Sequence, residues 1–81
     1  MRMSGNYTKQ ERTFLKRLGK AIKERRTQEG LSQERLAELT GLHRTYVGSV
    51  ERGERNISAL NTKVLADALG CQASDLFRSA E

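Results

Sequence analysis

The twenty residues from Gln33 to Arg52, QERLAELTGLHRTYVGSVER, constrain this chain more than any other stretch. Its apolar positions are Leu36, Ala37, Leu42, Val47 and Val50, with Gly41 between the two halves. That spacing predicts two short helices, with Leu36 and Ala37 on the inner face of the first and Val47 and Val50 on the inner face of the second. Gly41 stands where the chain must turn sharply, and glycine takes a positive φ there without steric cost. Ala37 is small, which lets the second helix cross close to the first.

A helix, a short turn with glycine and a second helix make a helix-turn-helix, a motif whose second helix lies in the DNA major groove. Double-stranded DNA is therefore the expected partner, and charge bears on that expectation. The 81-residue chain has a formal net charge of +5, unevenly spread. Residues 1–30 hold nine Lys and Arg against three Glu, whereas residues 31–55 balance four against four. A basic balance favours polyanions, although a basic helix is also what an ordinary solvated face looks like. A chain of this length makes one small domain with a modest core, marginal in stability unless something such as dimerisation adds to it.

The composition excludes other chemistries. Cys71 is the only cysteine and His43 the only histidine. No intramolecular disulfide or thiol metal cluster can form, and a nucleophilic triad would have to be built on a histidine inside the motif. Paired inward carboxylates are lacking as well, so no enzyme, no metal and no cofactor is expected. With no apolar run long enough to span a bilayer and no signal peptide, no membrane partner is expected, and a reduced, cytoplasmic setting is the expectation.

In chain order, Met1 to Tyr7 lacks periodicity and is expected to fray. Residues 1–13 form a basic N-terminal extension, partly flexible, on a single domain over 1–81. Thr8 and Glu11 form a capping-box pattern, and Phe14, Leu15, Leu18, Ala21 and Ile22 then recur at helical spacing up to a cap at Gly30. That first helix is expected to reach about 20 residues, near 30 Å. Ser32 can cap the second helix, and the third runs from about Arg44 to Arg52, stopped by Gly53. After a polar loop, Ser58 is a further candidate cap. Leu60, Val64, Leu65, Ala68 and Leu69 mark a fourth helix ending at Gly70, and a last short helix carries Leu76 and Phe77. Five helices and no strand pattern make the fold class all-α.

On the second helix of the motif, Val47 and Val50 point inward, which leaves Arg44, Thr45, Gly48 and Ser49 on the opposite face. Arg44 is the strongest candidate base reader, because its planar fork matches guanine O6 and N7, at roughly 1–3 kcal/mol of discrimination. The plain alternative is a solvated surface arginine. Thr45 can offer a methyl to thymine or a hydroxyl to a base edge, and Ser49, one turn on, can reach a further base or a phosphate. For both, a surface role without DNA is an equal alternative. Gly48 is unexpected inside a helix, where glycine costs about 1 kcal/mol relative to alanine. Close approach of the helix backbone to DNA explains it, and crowding against another helix is the competing reading. Tyr46, on a flank, either contacts DNA or packs over the turn.

Register must come from phosphate contacts. Gln33 begins the second helix, where free N–H groups and the helix dipole favour a phosphate. Arg52, Arg55 and Asn56 follow the recognition helix and suit the backbone or an adjacent groove, with charge balance by Glu54 the alternative for Arg55. Glu51 faces inward beside Val47 and Val50.

Three segments, LGKAIKERRTQEGLSQERLA, TGLHRTYVGSVERGERNIS and LADALGCQASDLF, together resemble the lambda-repressor-like (Cro-type, xenobiotic-response-element) helix-turn-helix family. The likeness runs from Leu18 to Phe77. The middle segment is most similar to the controller proteins of restriction-modification systems, small dimeric regulators of their own gene and an endonuclease gene. The resemblance implies a five-helix bundle, a homodimer on two operator half-sites, and a phosphate contact by Gln33. It also implies a partly buried Arg26–Glu51 pair joining the first helix to the recognition helix, with a structural role. His43 stands at the recognition-helix cap, where the family often has Ser or Thr, and is the weaker cap. In relatives the last helix supplies the dimer surface, which here points to Leu76 and Phe77, with core packing the alternative. The function so implied is sequence-specific transcription regulation. An antitoxin-type protein-interaction module that also binds DNA is the alternative, though only four residues follow Phe77 to fold on a toxin.

Overall fold

The computed structural model describes residues 6–81. Five helices follow in order: α1 (Lys9–Gln28), α2 (Gln33–Thr40), α3 (Arg44–Glu51), α4 (Ala59–Ala68) and α5 (Ala73–Ala80). The capping residues set most of the boundaries. Thr8 Oγ1 accepts from the Glu11 N–H at 3.1 Å while Glu11 Oε1 accepts from the Thr8 N–H at 2.8 Å, closing the capping box that starts α1. Ser32 and Ser58 accept from the N–H groups of Arg35 (2.9 Å) and Asn61 (3.0 Å) at the starts of α2 and α4. Gly41 ends α2 at φ 73° and its N–H donates to Ala37 O.

α1 packs against α3 and α5, α2 against α3 and α4, and α4 against α5. The core between them is built from Leu18 and Ile22 of α1, Leu36 and Ala37 of α2, and Val47 and Val50 of α3. Leu65, Ala66 and Leu69 from the α4 region and Leu76 and Ala80 of α5 complete it. Each fully buried aliphatic side chain contributes about 1.5–3 kcal/mol of transfer free energy. Phe14 and Phe77 lie against this core with rings 6.3 Å apart and within 4° of parallel, clamping α1 to α5.

Residues 9–13 are the first turns of α1, as the Thr8–Glu11 capping box implies, so the basic extension 1–13 is helical from Lys9 on. Residues 1–5 lie outside the described residues. Leu60 is 73% exposed, because α4 turns Thr62, Leu65 and Ala66 inward, and the Thr62 hydroxyl is satisfied by donating to Ser58 O at 2.9 Å. Leu76 is fully buried in the core of the single chain and has no surface to offer a partner.

α1 also comes very close to the end of α3. A Cβ placed on Gly19 would lie 2.3 Å from Val50 O and 2.6 Å from Glu51 O. One turn earlier, a Cβ on Gly53 would lie 2.6 Å from Lys16 Cα. Backbone therefore meets backbone where α1 crosses the last turn of α3, which fixes how far α3 projects from the body of the domain.

Candidate nucleic-acid interface

α2 and α3 are locked together at Glu51. Its Oε2 accepts from Arg26 Nε at 2.6 Å, and its Oε1 accepts from Arg26 Nη2 at 3.0 Å and from Gln33 Nε2 at 2.9 Å. Arg26 Nη1 donates onward to Leu31 O at 2.8 Å. Arg26 and Glu51 are both buried, and the hydrogen bond to Glu51 holds the guanidinium above its ordinary range, against the opposing effect of burial. Three helices thus share one carboxylate, a two-pronged and fully hydrogen-bonded geometry that offsets the desolvation of a buried charge. Gln33, at the first position of α2, is the bridge from this junction to the surface. It is half-buried, with its amide nitrogen turned inward.

Above the junction lies α3. Arg44 and Thr45 are exposed on its first turn. The Arg44 side chain is 67% exposed, and its Nη1 lies 3.8 Å from Glu34 Oε2, a loose surface pair across the turn. His43 forms no side-chain cap bond, which leaves the first N–H groups of α3 without a side-chain acceptor. Arg52, just past α3, lays its fork on Glu54 at 3.0 and 3.2 Å, and that contact raises the Arg52 pKa and lowers that of Glu54.

Gly48 is covered by the ends of two polar side chains. A Cβ there would meet Arg52 Nη1 at 3.2 Å and Gln33 Oε1 at 3.4 Å. Gly48 is therefore buried rather than open on the outer face, with no backbone against it, and makes room for the side chains of Gln33 of α2 and Arg52 beside the α3 backbone.

Ser49 departs from its expected place. On a bare helix it belongs to the outer face, yet here it is only 4% exposed. Its hydroxyl donates to Tyr46 O at 2.8 Å and accepts from Arg55 Nε at 3.0 Å, so the loop after α3 folds back over it. The Arg55 guanidinium carbon lies 5.8 Å from the centre of the Tyr46 ring, and Tyr46 Oη accepts from Asn61 Nδ2 of α4 at 3.1 Å. Tyr46 is half-buried, with its ring against the loop after α3 and its hydroxyl on α4. Asn56 is exposed but borders a shallow groove with Tyr7, Gln10 and Phe14 at the start of α1. The structure thus brings Gln33, Gly48 and Arg52 together, and Tyr46, Ser49 and Arg55 together, while Asn56 lies toward α1.

Sequence reasoning missed Asn61 and Gly19. Asn61 carries no signal in the pattern, because its role depends on where α4 meets Tyr46. Gly19 had one: an interior glycine in a long amphipathic helix. Among the described residues no group of three His, Cys, Asp or Glu is arranged to hold a metal ion, and no helix is long and apolar enough to cross a membrane.

Comparison with known proteins agrees with this arrangement. A helix-turn-helix family model (HTH_3) matches residues 22–76. The control protein C.SmaI of Serratia marcescens is 48% identical over 59 residues, which span 73% of this chain and 70% of that protein. The control protein C.MunI of a Mycoplasma species is 39% identical over 66 residues, 80% of this chain and 89% of that one. Among solved structures, the restriction-modification controller protein C.AhdI of Aeromonas hydrophila superposes with a TM-score of 0.75 at 52% identity, covering 76% of this chain and 94% of that one. With the Gly41 turn, the inward Leu36–Val47–Val50 packing and the exposed first turn of α3 all lying inside the matched span, this chain belongs to the helix-turn-helix family, in the lambda-repressor-like group whose members include the restriction-modification controllers.

Proposed function

We propose that the protein is a homodimeric, sequence-specific transcription regulator that controls a restriction-modification locus. The observation that carries this reading is the exposed first turn of α3 held by a rigid junction beneath it. Arg44 and Thr45 project from a helix whose other side is tied to α1 and α2 through Glu51. In the major groove, Arg44 would pair with guanine and Thr45 with a neighbouring base edge. Gln33 at the start of α2 would set the register on a phosphate, and its neighbour Gly48 would let α3 sit close. Arg52 and Arg55, on the loop beyond, would follow the backbone, with Tyr46 and Asn56 flanking them. Ser49, enclosed by Arg55, acts from beneath. The likeness to C.SmaI and C.AhdI supports the controller role.

One α3 reads only a few bases, so two half-sites about 34–36 Å apart fit a two-fold dimer. Leu60 of α4 and Leu39 of α2, rather than the buried Leu76, are the exposed large apolar side chains available to a second copy, with Phe77 of α5 half-buried. Selection from a random duplex pool, followed by titration of the selected duplex, tests the proposal. A palindromic site is expected, with Arg44→Ala losing specific retention while the circular-dichroism melt stays unchanged. Equal specific binding by Arg44→Ala would reject the reading.

A further inference from the structure

Arg55 is held in an unusual way for a loop arginine. Long cationic side chains lose much rotamer freedom when ordered, and a surface arginine ordinarily either pairs with a carboxylate or stays free in water. Arg52, three residues earlier, does the former, with both prongs on Glu54. Among the described residues Arg55 makes no ion pair, although the side chain is fixed at two points. Nε donates to the buried Ser49 hydroxyl at 3.0 Å, and the guanidinium lies over the Tyr46 ring at 5.8 Å, within cation–π range. Both supports are themselves braced. Ser49 Oγ gives its proton to Tyr46 O, which leaves a lone pair for Arg55, and Tyr46 Oη is anchored by Asn61 of α4. The Ser49 hydroxyl is already satisfied by that carbonyl, so enclosure does not require the Arg55 contact. Nη1 and Nη2, meanwhile, have no acceptor among the described residues.

We propose that Ser49 and Tyr46 are positioning residues that hold the Arg55 guanidinium ready for DNA, an inference that rests on the DNA-binding reading above. The two Nη groups present parallel N–H donors, the chemistry that matches two oxygens of a phosphate or the O6 and N7 of a guanine. Ser49 therefore acts on DNA through Arg55 and makes no contact of its own. The serine and tyrosine, both on α3, make a loop cation part of the recognition helix.

The test is a double-mutant cycle on a duplex selected from a random pool by the wild-type protein. Ser49→Ala should weaken binding by about two- to tenfold, the cost of ordering one long side chain on association. Its melting temperature should match wild type. In an Arg55→Ala background, which itself binds more weakly, adding Ser49→Ala should cost nothing further. Salt titration separates the two DNA sources. A phosphate contact lowers the salt slope by about one on removal of Arg55, whereas a guanine contact leaves the slope and relaxes preference at one position. Equal losses from Ser49→Ala in both backgrounds would overturn the proposal by showing a direct contact. So would unchanged binding by Arg55→Ala, or binding by Ser49→Ala that is unchanged or tighter, since tighter binding would mean the hydroxyl holds Arg55 away from DNA. A wild type that selects no duplex would reject the DNA-binding reading itself, an outcome distinct from all of these.

Discussion

Gly19→Ala separates local propensity from tertiary packing, because the two predict opposite signs. In an isolated helix, alanine for an interior glycine gains about 1 kcal/mol. In this fold the new methyl would sit 2.3 Å from Val50 O, 2.6 Å from Glu51 O and 2.8 Å from Glu51 C, where ordinary contact begins near 3.4 Å. The overlap of about an ångström falls on backbone, so no rotamer change relieves it, and α1 and the end of α3 must separate. Overpacking of this kind costs about 1–3 kcal/mol, and here the atoms that must move also carry the Glu51 junction. A clash on backbone puts the cost in the upper part of that range, about 2–3 kcal/mol, so after the propensity gain of about 1 kcal/mol the net loss should be about 1–2 kcal/mol. For a domain of this size each 1 kcal/mol lowers Tm by about 4–8 °C. Thermal melts followed by circular dichroism, at one fixed protein concentration because association also shifts Tm, should show a fall of about 5–15 °C. A Tm equal to or above wild type would refute the close crossing of α1 over α3.

Gly48→Ala should behave oppositely. Its neighbours are the movable ends of Arg52 and Gln33, so the helix-propensity gain of up to about 1 kcal/mol should survive as a slightly higher Tm, while affinity for a selected duplex falls; a lower Tm would contradict the assignment. Glu51→Ala leaves the buried Arg26 guanidinium without its carboxylate and should cost about 3–5 kcal/mol in urea unfolding, and a loss under about 1 kcal/mol would show the junction to be loose. Asp75 supplies the pH dependence. The Gln72 N–H at 3.0 Å, aided by Arg78 Nη1 at 3.2 Å, holds its carboxyl below the usual range. A depressed folded pKa means its stabilisation is full above the unfolded value, about 3.9, and disappears as pH falls through the lower folded one. Asp75→Asn should therefore be less stable near neutrality and lose less stability below about pH 4, and parallel wild-type and variant curves would exclude the cap.

What the sequence disclosed, and what it concealed, follows from the range of each interaction. The caps at Thr8, Ser32 and Ser58 and the turn at Gly41 were legible because their partners lie within a few residues. The inner faces of α2 and α3 were legible because only one apolar phase exists there. In α4 two phases compete with three apolar residues each, Leu60, Val64 and Ala68 against Leu65, Ala66 and Leu69, and the chain buries the second together with Thr62, whose hydroxyl is satisfied on Ser58 O. Ser49 was placed outward, correctly for a bare helix, but a side chain arriving from six residues further on encloses it. The pairing of Arg26 with Glu51, 25 residues apart, came only through family resemblance, since neither residue signals its partner by itself.

The division of labour around α3 also bears on how such proteins diversify. Arg44 and Thr45 touch neither the core nor the Glu51 junction, so the fold places little selection on what they are. Gln33 and Tyr46 are different, because each is joined to a residue on another helix that holds the domain together. On the proposed reading of Arg44 and Thr45 as base contacts, new operator preferences arise through two codons at the start of α3 with stability intact, whereas drift at the inner positions is checked by folding before DNA is ever met. A lineage built this way can change its target readily while keeping its architecture.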